Sequence, residues 1–120
     1  MREITCRVWD KQEKKMIYDA EHTYDGYPVN GVSSFGELLY FPDFYDVMFY
    51  TGLKDKNDKK IYRGDILQFS NGNLGEVIWS HLRAGFDVAF SNAMPEELDH
   101  NIANKCEVVG NIYENKELLE

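Results

Sequence analysis

The chain has 120 residues, 43% hydrophobic and 28% charged, the balance of a folded domain and not of a disordered segment. A chain of this length buries about two-thirds of its unfolded surface, so it can fold without disulfides or metal. Its net charge of −8 and pI of about 4.8 weigh against generic binding to phosphate backbones, but leave room for a local basic patch or a basic partner.

Along the chain, Ile4, Cys6 and Val8 alternate with Thr5, Arg7 and Trp9, which predicts a strand with one buried face. The charged stretch 10–15 predicts a turn, and Met16, Ile17 and Tyr18 a return strand, together an N-terminal hairpin. Residues 19–36 carry Asp25-Gly26, Pro28, Asn30-Gly31 and Gly36, turn formers dense enough to predict a loop with a small hairpin at Asn30-Gly31. A short apolar run at 37–41 ends at Pro42. Residues 45–50 read as a strand with large groups on both faces, covered on both sides or facing a partner.

The stretch 50–69 reads as the centre of the fold. Gly52 is expected to bend the chain after the strand, and Asp55-Lys56-Asn57-Asp58 to turn it, with Asn57 left-handed. Ile61 and Tyr62 predict a short strand. Gly64 suits a positive φ, and Asp65 suits accepting bonds from nearby backbone N–H groups. Residues 66–70 continue as a strand, Asn71-Gly72-Asn73 predicts a hairpin turn, and 75–81 return with Val77, Trp79 and His81 on one face. After a turn at Arg83-Ala84-Gly85, Phe86, Val88 and Phe90 alternate with Asp87, Ala89 and Ser91. Asn92 is expected to cap a short helix through Pro95, Glu96, Glu97 and Leu98. Residues 106–112 predict a last strand in which Gly110 marks a bulge or a close backbone approach, and 114–119 a helical turn.

The fold expected is mainly β: a small barrel-like meander of short strands, SH3-like or a curled sheet, from about Ile61 to Ile112. An N-terminal β extension and one or two short helices complete it. The core set is Ile4, Val8, Leu39, Val47, Ile66, Phe69, Val77, Phe86, Val88, Val108 and Ile112. A single domain over 1–120 is expected, with 1–50 and 51–120 as candidate sub-units.

Signals for chemistry are sparse. His22, His81, His100, Cys6 and Cys106 show no Cys-x-x-Cys or His-x-x-x-His spacing, so neither a metal nor another cofactor is expected. Both cysteines lie among apolar neighbours and read as buried free thiols. Glu107 adjoins Cys106, and Arg7 should point away from Cys6, so nothing nearby activates either as a nucleophile. No phosphate loop or Gly-x-Ser-x-Gly elbow occurs. Glu96 and Glu97 would point about 100° apart on a helix and form no acid/base pair. A non-catalytic role is expected over a catalytic one, with an enzyme or metalloprotein built on His81 and Cys106 as the remaining alternative.

One region inverts the local charge. Lys54, Lys56, Lys59, Lys60 and Arg63 stand against Asp55, Asp58 and Asp65, with Tyr50 and Tyr62 close in sequence. These residues are the candidate binding set, a small nucleic-acid footprint or else a solvated turn whose lysines guard a strand edge. The C-terminal quarter is acidic: Glu96, Glu97, Asp99, Glu107, Glu114, Glu117 and Glu120 against Lys105 and Lys116. That asymmetry suits head-to-tail self-association or docking on a basic host protein, and it also serves solubility. Eight Tyr, seven Phe and two Trp are many for so short a chain, and line a groove or interface or sit at the core edge with wet hydroxyls. No signal peptide opens the sequence and no apolar run reaches the roughly 20 residues that cross a bilayer, so a soluble cytoplasmic protein is expected.

The motifs YTGLKDKNDKKIYRGDIL (50–67) and CEVVGNIYENKELL (106–119), with the opening MREITCRVWDKQEKKMIY, resemble the YopX family of phage and prophage proteins over nearly the whole chain. Within them Gly64, Asp65, Gly110, Asn111 and Tyr113 are the candidate structural motif. The resemblance implies a phage- or prophage-encoded protein of a low-GC bacterial host, cytoplasmic during infection; it does not imply a catalytic site. Partners then expected are a second copy of the chain and a host or phage protein, with nucleic acid the alternative through the Lys54–Arg63 loop. Two positions depart from the pattern: Asp58 stands where the family usually has Gly, and Lys116 where it usually has Pro.

Overall fold

Short strands with polar turns between them organise the chain, as the period-two patterning requires. The computed structural model describes residues 5–21, 39–91 and 93–119. The chain divides into two compact units, 1–50 and 51–120. The expected hairpin at Asn30-Gly31, the core position Ile4 and the capping Asn92 lie outside the described residues.

In the first unit, β1 (Cys6–Asp10) pairs antiparallel with β2 (Lys15–Ile17) and with the first half of β3 (Tyr45–Lys54). The β1–β2 turn forms because Asp10 Oδ1 accepts from the N–H groups of Gln12 and Glu13, both at 3.0 Å. Cys6, Val8, Ala20 and Tyr45 make the apolar core. The expectation of one buried face on β1 is corrected: Cys6 through Asp10 are all buried, Arg7 included. Arg7 reaches Met48 Sδ at 3.8 Å, laying its stem along apolar surface.

The second unit is a curled half-barrel. Past Tyr50, β3 does not stop at Gly52 as expected; it continues to Lys54, with Gly52 at φ +89 inside it. A turn leads to β4 (Lys60–Tyr62). Then β5 (Asp65–Phe69), β6 (Leu74–Ser80), β7 (Gly85–Phe90) and β8 (Ala93–Glu97) follow as an antiparallel meander. The last strand, β9 (Cys106–Asn111), returns to pair beside β5, giving the order β8-β7-β6-β5-β9. The core holds Ile61, Leu67, Val77, Val88, Leu98, Ala103, Cys106 and Val108, with Phe69, Phe86 and Phe90 packed on it half-buried.

Three expectations are corrected. The segment around Pro95 is β8, not a helix: it is an edge strand, where a residue without an N–H is tolerated. The helix comes later, at His100–Ala103, where Asp99 Oδ1 caps the Ile102 N–H at 2.9 Å. Leu39 is not core but half-exposed, in a helical turn with Tyr40. The left-handed residue of the central turn is Asp58, at φ +65, and not Asn57. Asp58 thus holds a conformation that glycine adopts freely. Lys116 opens a single 3-10 turn, Lys116–Leu119, a position that suits proline equally.

Candidate functional site

The motif residues of the second unit converge on one task, satisfying backbone groups where the sheet must end. Asp55 is buried. Its Oδ1 accepts from Asn57 N–H at 2.8 Å and Lys59 N–H at 2.9 Å, holding the turn closed. Its Oδ2 accepts from Val108 N–H at 2.8 Å, and Lys56 N–H donates to Cys106 C=O at 3.1 Å. The 55–59 turn therefore seals the outer edge of β9, which would otherwise present unpaired groups to solvent.

Gly64 stitches the other end. At φ +89 its N–H donates to Val77 C=O at 2.8 Å, and its C=O accepts from Ile112 N–H at 2.9 Å. Asp65, also buried, accepts from Tyr62 N–H at 2.8 Å, tightening the step between β4 and β5. Asn111 closes β9: its Oδ1 accepts from Tyr113 and Glu114 N–H at 3.0 and 2.9 Å, and its Nδ2 donates to Glu114 Oε1 at 2.9 Å. Gly110 is the close approach, since a Cβ there would meet the Asn115 side chain at 2.6 Å. The β5–β9 register also shifts at this point, between Ile66 and Leu67.

The candidate basic set lies along this frame, from the end of β3 to the step before β5. Lys54 pairs with Asp58 at 3.6 Å and Lys56 with Glu107 at 3.9 Å. Lys59 is exposed, and Tyr50, Lys60 and Arg63 are half-buried. Tyr62 is only 6% exposed, so its ring is not presented for stacking on a base. Arg63 lies within electrostatic reach of Glu76, whose carboxyl burial pushes above its ordinary range while Arg63 pulls it back.

The thiols are buried and protonated. Burial, with the Glu21 carboxylate adding to it, pushes Cys6 up to about 12; Glu21 Oε1 accepts from the Cys6 backbone N–H at 2.9 Å. Burial, with Asp55 adding to it, pushes Cys106 up to about 11, and its Sγ lies 3.3 Å from Ala103 C=O. Such thiols are poor nucleophiles and poor ligands. Among the described residues no three His, Cys, Asp or Glu gather where they could hold a metal ion. No helix among them is long and apolar enough to cross a membrane.

What the sequence reading missed is where apolar side chains face solvent. In the first unit Tyr40 is 77% exposed, and Leu39, Phe41 and Phe44 are each near half. Tyr40 meets Phe41 edge-on at 5.0 Å, and Phe41 leans on Phe44 at 6.3 Å. Backbone bonds fix this segment: Phe44 and Tyr45 N–H both donate to Phe41 C=O at 3.0 Å, and Lys11 Nζ donates to Pro42 C=O at 2.8 Å. In the second unit Leu82, at the tip of the β6–β7 hairpin, is 100% exposed. At the opposite end of that hairpin a groove of about 440 Å³ is lined by Leu74, Glu76, Phe90, Leu118 and Leu119. The run LYFPDF (39–44) was the available signal for the first patch, since four large apolar residues around a proline do not fit one buried face.

Fold and site together define a small mainly-β protein whose buried polar residues frame a half-barrel. The chain belongs to the YopX protein family, whose model matches residues 5–120. It is similar over its full length to the solved structure of protein EF1440 from Enterococcus faecalis, at 25% identity, with a TM-score of 0.70 and all of both chains covered. No curated protein matches it.

Proposed function

We propose that this chain is a phage- or prophage-encoded, non-catalytic interaction protein that works in the bacterial cytoplasm by binding a host or phage protein and by self-association. The observation that carries the reading is the fixed aromatic segment 40–44, exposed on an acidic chain. Large aromatic surface held rigid at low entropic cost is what protein interfaces use as anchors. The buried polar residues of the second unit support the same reading, because Asp55, Asp65 and Asn111 are occupied with backbone N–H groups.

The test is affinity capture from phage-infected host lysate, with and without nuclease, using the wild-type chain and a Tyr40→Ser/Phe44→Ser variant. A defined protein retained after nuclease by the wild type and lost by the variant is the expected result. Material lost on nuclease treatment and at raised salt would instead place binding on the Lys54–Arg63 loop. Stoichiometric zinc in the purified protein would overturn the reading.

A further inference from the structure

We propose that the Arg83 side chain is a strap across β8 that closes the free edge of the half-barrel, so that a second copy of the chain cannot add a strand there. The inference concerns an assembly that the fold prevents, and it does not depend on the interactions proposed above.

Among the described residues β8 is where this sheet lies open. It is the terminal strand in the order β8-β7-β6-β5-β9, and all five of its residues are exposed. The strand at the other end, β9, has the 55–59 turn bonded to it. Register decides which backbone groups of β8 face outward. Leu98 N–H donates to Phe86 C=O at 3.0 Å, and Glu96 stands opposite Val88, so residues 96 and 98 direct their backbone groups at β7. Those groups alternate along an antiparallel strand, so Pro95 and Glu97 turn theirs away from β7. An outward row of this kind is a template for pairing with another chain.

At Pro95 the template is spoiled. Pro95 has no N–H to donate. Its C=O, the acceptor that an added strand would use, takes a bond from an Arg83 Nη at 3.4 Å. The β7–β8 register also slips beside it, between Val88 and Phe90, and such a slip bends a strand out of line for pairing.

Asp87 holds the strap in place. Arg83 Nε lies 3.2 Å from Asp87 Oδ1, and Asp87 is 4% exposed. That oxygen accepts no directed hydrogen bond, so the guanidinium acts on it as a counter-charge. Asp87 stands opposite Glu97 in the β7–β8 register, and like charges so placed repel. Arg83 offsets that repulsion while it covers the Pro95 carbonyl. Its own N–H donates to Ser80 Oγ at 3.3 Å, which fixes the root of the strap in the β6–β7 turn.

Sedimentation velocity and amide hydrogen exchange on the intact chain test this, with each variant compared to the wild type from about 10 to about 500 µM. In the wild type the outward Glu97 N–H is expected to exchange fast at every concentration. Arg83→Ala is expected to stay folded by circular dichroism and to sediment increasingly above the wild type as concentration rises. Exchange at Glu97 should then slow by about tenfold or more. Glu97→Pro removes that N–H from the outer row and breaks no bond to β7, so Arg83→Ala/Glu97→Pro should sediment like the wild type. Arg83→Met keeps the stem but loses the charge and the donors, and it carries the test if Arg83→Ala unfolds. A folded Arg83 variant that sediments as the wild type does overturns the strap. Association that Glu97→Pro fails to reverse overturns the pairing through this edge. A Glu97 N–H already protected in the wild type would show that the edge is not free.

Discussion

Replacing Asp55 by alanine should destabilise the second unit far more than any lysine of the same turn. The substitution strips three backbone N–H groups of their acceptor. Val108 N–H is buried, and an orphaned buried donor costs about 1–3 kcal/mol. The N–H groups of Asn57 and Lys59 are nearer solvent, so water replaces much of what they lose, at about 0.5 kcal/mol each. The sum is roughly 2–4 kcal/mol, or a fall in Tm of roughly 8–15 °C for a chain of this size. Asp55→Asn keeps one acceptor oxygen but turns an NH2 toward the other donors, and should fall between. By contrast Lys54→Ala and Lys56→Ala remove exposed ion pairs and should change stability by less than about 0.5 kcal/mol. Thermal melts followed by far-UV circular dichroism, with urea midpoints, compare the series. An Asp55→Ala midpoint within about 2 °C of the wild type would refute the edge-sealing role.

Gly64→Val forces a β-branched residue to φ +89 between two backbone bonds and should cost on the order of 1–2 kcal/mol in urea unfolding. Gly110→Ala should displace the Asn115 side chain, whose Oδ1 accepts from Asn111 N–H at 3.2 Å, and cost about 1 kcal/mol by the same assay. Both thiols should resist Ellman's reagent in the native chain at pH 8, with two equivalents reacting once urea unfolds it. The folded chain holds these protons to about pH 11 and 12, whereas unfolded thiols release them near 9.0. The thiol contribution is therefore whole below about pH 9 and falls as pH rises toward 11 and 12, by about 1.4 kcal/mol per pH unit for each thiol. A Cys6→Ala/Cys106→Ala variant should lose less stability than the wild type between pH 8 and 10, and an equal loss would refute the assignment.

The strands from Ile61 onward, β8 apart, were legible because period-two patterning and turn chemistry are local properties. Asn71-Gly72-Asn73 turns the chain with Gly72 at φ +87, and Val77 and Val88 lie opposite each other in register, both fully buried. The family motifs were legible as strings, but their purpose was not. That Asp55 reaches Val108, 53 residues on, is a property of β9 returning beside β5, and no local pattern encodes it. The same return let an edge position overrule helix propensity at Pro95, Glu96 and Glu97. Composition announced a surplus of aromatic residues without saying which of them would stay in water. Burial is decided by packing between elements distant in sequence. Leu39 read like a core residue until the fold turned it outward, and Tyr62, named in the candidate binding set, was turned in.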